Sequence, residues 1–432
     1  MDNFKLKTLN NGLKILTVND PRATLLYLDI SLNIGSDLES YEDKSVEIAH
    51  FLEHIFATFT SKKYPSAISN NELFATLGVY CNASVIEKNS NYILKVPHEH
   101  FDKVLDILFN SIKEFRVDTK IFNQEKHAIK EELNDILNDT WIRLDENVNK
   151  ILYKNHPRSF GEKNRINEVK KAEPKELYNF FNKYYKPSNM VFSVYGNITN
   201  NLLNKIEGKL SKLPKSCPLD LSNYNFSREN LTKNIVYFTK CTNAESYNLN
   251  LTFLVKENYW DINSDIASCI LSIFTSDLES IITKRLRTIE GLVYNVDSYL
   301  DFDEHTNDMS LLNIQTTVEG KNLQKVLNII LEIINNFKKK YVENIDMVKY
   351  KSSLKLEHKD NKTIKKPFTI LNFYSHYALW NKKMITYEDY YKILSKITKK
   401  QIKKFIEKYF VSENIIVFYG GPKKIELKIP KF

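Results

Sequence analysis

The residues best suited to chemistry are crowded into one short stretch, His50-Phe51-Leu52-Glu53-His54. On a helix, His50 and His54 lie four residues apart, so both imidazoles project from one face within reach of a single ion. Zinc accepts imidazole nitrogen readily, and in sites that do chemistry it keeps one tetrahedral position for water. Glu53 stands three residues from His50 and beside His54, placed to hydrogen-bond that water rather than to bind the metal. The order H-x-x-E-H is one of the known zinc-site patterns. Two imidazoles need a third ligand from a different element. The segment Glu125-Lys-His-Ala-Ile-Lys-Glu131-Glu132 offers it. Glu125 and Glu132 are two turns apart and share a face with Ala128 and Ile129, whereas Glu131 is rotated ~100° away. Glu132 is therefore the expected ligand and Glu125 its neighbour on the same face. The bland alternative is a surface helix carrying two histidines beside a solvated acidic helix. His98, His100 and His127 read as ordinary polar residues.

These groups need rigid elements to hold them. A turn at Asn10-Asn11-Gly12 predicts a hairpin over Leu9–Asp20, followed by a buried strand over Leu25–Ile34. The metal-motif helix is expected over Ser45–Thr58, where Val46, Ile48, Ala49, Leu52, Ile55 and Phe56 recur at helical spacing. A second helix over Ser69–Leu77 stops at Gly78, and Val79–Ile86 and Asn91–Val96 read as strands. Helices over His100–Phe115 and Thr119–Asp139 follow, the latter carrying the paired glutamates. A helix over Pro174–Tyr184 leads to a strand over Met190–Tyr195.

The second half repeats the first. A single shift of 225 residues aligns Phe180 with Phe405, Lys183 with Lys408, Tyr184 with Tyr409, Asn189 with Asn414 and Gly196 with Gly421. Ile235–Val255 and Ser264–Ile282 replay the strand-then-helix order of the N-terminus. The aperiodic, proline-bearing stretch 212–232 reads as a linker between an N-terminal catalytic, zinc-binding domain (1–211) and a C-terminal homologous domain without the motif (233–432).

Composition removes several function classes. With 25 Tyr and 25 Phe in 432 residues the chain can bury a large core, which rules out disorder over most of its length. Ten Gly and eleven Pro exclude fibrous repeats. The net charge of +9 is spread thinly as lysine, without the concentrated basic patch that nucleic-acid binding needs. Cys81, Cys217, Cys241 and Cys269 are too far apart for a zinc ribbon and read as reduced thiols. No apolar run approaches membrane-spanning length, and no signal or transit peptide is seen, so an intracellular, cytoplasmic location is expected.

At this level the chain resembles the pitrilysin/insulinase family of inverted zincins, in the short form typified by mitochondrial processing peptidase subunits. Leu9-Asn-Asn-Gly12 matches the family's L-x-N-G, and Gly35-Ser36-Asp-Leu-Glu39 its G-S-x-x-E. Ala49-His-Phe-Leu-Glu-His54 matches the metal motif, and Leu77-Gly78 with Asn82-Ala83 and Tyr92 the L-G-G…N-A…Y region. Glu125 and Glu132 match the paired glutamates. His156-Pro157…Gly161, Tyr185-Lys-Pro-Ser-Asn-Met190, Gly196-Asn-Ile and Arg285-Leu-Arg287…Gly291-Leu-Val-Tyr294 complete the series. In departure from the pattern, Glu47 stands where Gly is common, Ile55 replaces Met, and Val79 replaces a second Gly. A slightly longer span from His54 leaves Glu131 as a competitor to Glu132.

The resemblance implies an α+β fold of two homologous halves, each a mostly antiparallel sheet packed with helices, enclosing a cavity (LuxS/metallopeptidase-like), one half active and one inactive. It implies a zinc-dependent metalloendopeptidase acting on extended peptides or unfolded segments. His50, His54 and Glu132 would hold one Zn²⁺ per chain, the bound water would be the nucleophile and Glu53 the general base, with Glu125 in support. Asn82 and Ala83 would lie on an edge strand that pairs with substrate. Arg287 would hold the peptide backbone and Tyr294 would donate to the carbonyl oxygen; without the resemblance they read as a helix-end Arg and a core Tyr. The alternative is a non-catalytic scaffold or assembly subunit of the same family. Expected partners are a polypeptide substrate and a second, homologous subunit, in a homodimer or heterodimer.

Overall fold

The computed structural model describes residues 4–432 apart from 138, 155, 220–227, 230–234, 242–244, 345–346 and 365. The chain divides into two units, each assembled from three segments: 1–135, 160–223 and 360–388 in the first, 136–159, 224–359 and 389–432 in the second.

The first unit is built on β1 (Phe4–Thr8), β2 (Lys14–Asn19), β3 (Leu25–Leu32), β4 (Tyr80–Val85), β5 (Ser90–Pro97) and β6 (Met190–Gly196), in the order β1-β2-β6-β3-β5-β4. Every neighbouring pair is antiparallel except β2 with β6. The expected hairpin forms around Asn10-Asn11-Gly12, with its first strand earlier than the apolar pattern suggested, at Phe4–Thr8. Alternation then gives the sheet two working faces. On one, Phe56 of the helix Ile48–Phe56 meets Tyr92 of β5 at 4.8 Å between ring centroids, with Phe181 and Tyr185 close by. On the other, Leu16, Val18, Val191 and Tyr195 pack under Leu371, Tyr374 and Ala378 of the helix Pro367–Leu379. Asp29 of β3 is buried on this second face and accepts from Ser31, Asn91 and Ser375.

Among the described residues the second unit has the same plan without a counterpart of β1. Strands β7 (Ile235–Lys240), β8 (Tyr247–Leu254), β9 (Val293–Asp301), β10 (Leu311–Val318) and β11 (Ile415–Gly421) run in the order β7-β11-β8-β10-β9, and again only one pair, β7 with β11, is parallel. The 225-residue shift carries the helix Pro174–Tyr184 onto Lys399–Tyr409 and β6 onto β11, end to end. The α+β class and the internal repeat expected from the sequence are both present. Asn189 and Asn414, paired by that shift, do the same work: each side-chain amide donates to the carbonyl of the tyrosine that closes the preceding helix, Tyr184 or Tyr409.

The division between units does not follow the linker. The helix Thr140–Leu152, which the sequence reading did not anticipate, buries Leu144, Val148 and Leu152 against Leu254, Leu311, Ile416 and Phe418 of the second sheet. Each unit thus takes one covering helix from the far side of 212–232. The physical reason is that strands such as β8, buried along their whole length, need cover on both faces. Nothing local dictates which segment supplies it. Of the stretch 212–232, residues 220–227 and 230–232 lie outside the described residues. Leu213 is buried, and Ser216 and Cys217 bond to Asn11 and Ser188 of the first unit. Among the described residues no helix is long and apolar enough to cross a membrane.

Candidate metal centre

The motif helix runs Ile48–Phe56, shorter than the apolar periodicity suggested. It buries Ile48, Phe51, Leu52, Ile55 and Phe56, which leaves His50, Glu53 and His54 on the remaining stripe, half-buried. Its neighbour is the helix Thr119–Ile136, whose buried residues include Phe122, Ile129 and Leu133. The rings of Phe51 and Phe122 stack at 4.8 Å between centroids, so an apolar contact sets the spacing at which the acidic face of the second helix meets the histidines.

The two Nε2 atoms of His50 and His54 face each other at 3.1 Å. Glu132 Oε2 lies 3.6 Å from His50 Nε2 and 3.8 Å from His54 Nε2. Two ligands at ~2.0–2.1 Å from a tetrahedral zinc stand ~3.3 Å apart, so these three atoms fit the corners around one ion. Each imidazole is held from behind. Glu125 Oε2 lies 2.8 Å from His54 Nδ1, and Glu47 Oε1 lies 2.7 Å from His50 Nδ1. Such carboxylates fix the tautomer that leaves Nε2 unprotonated for a metal. Glu131 points elsewhere, its carboxylate 3.0 Å from Lys130 Nζ.

Glu53 completes the cluster. One ligand atom each from His50, Glu53 and His54 falls within 4.8 Å of the others, and Glu53 Oε2 is 3.6 Å from His54 Nε2. Burial raises the Glu53 carboxyl above its ordinary range; His54 and His50 oppose the rise, and Glu132 and Glu125 reinforce it. A carboxylate made more basic in this way suits proton abstraction near neutral pH.

Sequence reasoning passed over what holds the start of the motif helix. Glu47 adopts φ +66°, a left-handed conformation that costs ~1–2 kcal/mol for a residue with a Cβ. Its Oε2 accepts from Arg165 Nη1 at 2.6 Å, and the same nitrogen donates to Glu39 Oε2 at 3.0 Å. Glu39 Oε1 in turn accepts from the Ala49 amide at 3.1 Å, inside the first turn of the motif helix. Burial would raise Glu47, but the bonds from His50 and Arg165 outweigh it and hold the carboxyl well below its usual range. Gly35, at the head of the G-S-x-x-E segment, is required sterically: a Cβ there would stand 2.0 Å from the Ile86 carbonyl oxygen. The one available signal was spacing, since Glu47 lies three residues before His50 and so shares its side of a helix. Arg165 carries no such local signal.

Asn82 and Ala83 lie on β4, the outer strand of the first sheet, paired on one side only with Ile93 and Tyr92 of β5. Arg287 and Tyr294 belong to the second unit. Arg287 lies on a wide π-helical turn, Lys284–Ile289, and its guanidinium carbon stands 4.6 Å from the centre of the Tyr294 ring. Tyr294, on the edge strand β9, is 79% exposed, so it is not a core tyrosine.

Comparison with known proteins decides the family. Residues 14–160 match the model described as insulinase, peptidase family M16, and residues 171–354 match the one described as the peptidase M16 inactive domain. The chain belongs to the M16 peptidase family. Within it, an uncharacterized zinc protease of Bacillus subtilis is 25% identical over 360 residues, 82% of this chain and 83% of that one. A probable mitochondrial-processing peptidase subunit beta of Arabidopsis thaliana is 23% identical over 214 residues, 49% of this chain and 40% of that protein. A protease from Helicobacter pylori has the same fold, with TM-score 0.84 at 17% identity over 98% of this chain and 100% of that one. In this M16 chain the H-x-x-E-H cluster falls in the insulinase match, whereas Arg287 and Tyr294 fall in the inactive-domain match.

Proposed function

We propose that this chain is a zinc metalloendopeptidase that hydrolyses peptide bonds in extended peptides or unfolded segments. His50, His54 and Glu132 would hold one zinc ion per chain. The observation that carries the reading is the convergence of two imidazole Nε2 atoms and one Glu132 oxygen, with each Nδ1 engaged by its own carboxylate. When bound, zinc supplies Lewis-acid activation of the scissile carbonyl and of the attacking water. Glu53, beside this cluster, takes the water's proton and delivers it to the leaving amine. Glu125 keeps His54 in the metal-binding tautomer. The free side of β4, at Asn82 and Ala83, pairs with the substrate backbone by strand addition, a mode that reads main chain more than side chain. From the second unit, Tyr294 donates to the developing oxyanion and Arg287 holds the peptide. Likeness to a processing-peptidase beta subunit supports a homologous second subunit, identical or not, as the partner.

The test separates metal from chemistry. Glu53→Gln should retain one zinc per chain yet cleave a quenched peptide at least ~10²-fold more slowly, whereas His50→Ala should lose the zinc. A zinc-loaded parent that leaves every unfolded peptide intact would instead mark a metal-binding assembly subunit.

A further inference from the structure

We infer that Glu47 is a positioning residue for the metal centre, aligning the His50 imidazole from behind while Arg165 anchors its carboxylate. The inference rests on the proposal that His50 holds zinc. Four observations carry it. Glu47 is 4% exposed, with its backbone in the left-handed region at φ +66° where glycine would sit without strain. Its Oε1 contacts His50 Nδ1 at 2.7 Å, and its Oε2 accepts from Arg165. Glu39 also accepts from Arg165 and from the Ala49 amide, so Glu47 is not the only tie between Arg165 and the start of the helix. Moreover, Glu39 and Glu47 share one guanidinium in a buried space, where two like charges oppose each other. The ion pair to Arg165 is shared with Glu39, whereas the contact to His50 is one that Glu47 supplies alone.

The consequence is a symmetric support. His54 is oriented by Glu125 across 71 residues of sequence, from a separate helix; His50 is oriented by Glu47 from the residue that starts its own helix. Carboxylates that accept from the distal nitrogen of a metal-binding histidine are worth 10–100-fold in metal affinity.

The experiment measures zinc affinity by competition with a chromophoric chelator on the full chain, alongside the melting temperature of the zinc-free protein. Glu47→Gly removes the carboxylate and the backbone strain together. It should bind zinc about 10–100-fold more weakly with the zinc-free form still folded. A purely structural ion pair would lower the melting temperature and leave zinc affinity unchanged. Glu47→Gln, which keeps an acceptor for the Nδ1 hydrogen, should lose less affinity than the glycine variant. Zinc binding in Glu47→Gly within about threefold of the parent overturns the inference. Should the glycine variant melt lower, Glu47→Gln decides: recovery of affinity toward the parent supports the inference, and affinity no better than in the glycine variant overturns it. His50→Ala serves as the control: if it keeps full zinc affinity, the zinc assignment itself fails, whereas loss of zinc there beside parental affinity in both Glu47 variants overturns only the role of Glu47.

Discussion

The two units share a strand plan and differ in the helix that each adds to it. After β3 the first unit places Ile48–Phe56, a helix whose half-buried stripe is His50, Glu53 and His54. After β8 the second unit places Ile262–Thr275, which buries Ile266, Ala267, Cys269, Ile270 and Phe274 and carries no histidine. The scaffolding is kept where the chemistry is not. Asn189 and Asn414 close equivalent helices, although the buried tyrosines beside them differ: Tyr184 donates to the Leu38 carbonyl, Tyr409 to the Glu257 carboxylate. Even the polar spot inside each sheet recurs: Asp29, Ser31 and Asn91 in the first occupy the register positions of Asn250, Thr252 and Asn313 in the second. Fold and site are therefore separable layers of the same repeat, the fold sharing hydrogen bonds at repeated positions and the site resting on a few residues of two helices in the first unit.

The most drastic way to break the comparison is to cut the chain between the repeats. Residues 1–211 contain the whole metal cluster but lack the helix Pro367–Leu379, so Leu16, Val18, Val191 and Tyr195 lose their cover. The isolated fragment should show no cooperative melt by circular dichroism and no peptidase activity, and co-expression with 212–432 should restore both. Next in size is the test of whether the second unit contributes to chemistry. Tyr294→Phe should lower turnover of a quenched peptide by ~10²–10³ at unchanged zinc content, the loss typical of an oxyanion donor.

A smaller effect distinguishes the paired asparagines. Asn414 Nδ2 donates at 2.6 and 2.9 Å, Asn189 Nδ2 at 3.3 and 3.4 Å. Replacement by alanine should cost about 2 kcal/mol at Asn414 and about 1 kcal/mol at Asn189, read from urea unfolding. Equal losses would show that the two repeats are closed equally tightly.

The smallest effect concerns pH. Burial raises the Asp29 carboxyl, against the bonds from Ser31, Asn91 and Ser375. The folded protein then holds a proton that the unfolded chain has already released. Its contribution to stability is present below the ordinary carboxylate pKa of ~3.9 and is lost as pH rises through the folded value. Asp29→Asn, which makes the first unit resemble the second with its Asn250, should melt progressively higher than the parent as pH is raised from about 4, by a few degrees at most. A constant difference across that range would show that the carboxyl is not titrating.

Local pattern sufficed for much of this molecule. The spacing of His50 and His54 predicts a shared helical face, and the rings do face each other. The face shared by Glu125 and Glu132 separates them from Glu131, and in the fold it is Glu132 that approaches both imidazoles while Glu131 turns to a lysine. The 225-residue repeat maps helix onto helix and strand onto strand. All of these rest on periodicity within a few turns, or on matching one stretch of chain to another, and the sequence by itself determined them. The exchange of the helices Thr140–Leu152 and Pro367–Leu379 between units was decided by tertiary structure alone, because an apolar face specifies that it must be covered and not by which segment. The chain of contacts from Ala49 through Glu39, Arg165 and Glu47 to His50 was decided the same way. Arg165 lies more than a hundred residues from both carboxylates, and a guanidinium that pairs with them leaves no periodic mark; the spacing of Glu47 from His50 is legible in one dimension, but its anchoring emerges only when folding brings the arginine to it.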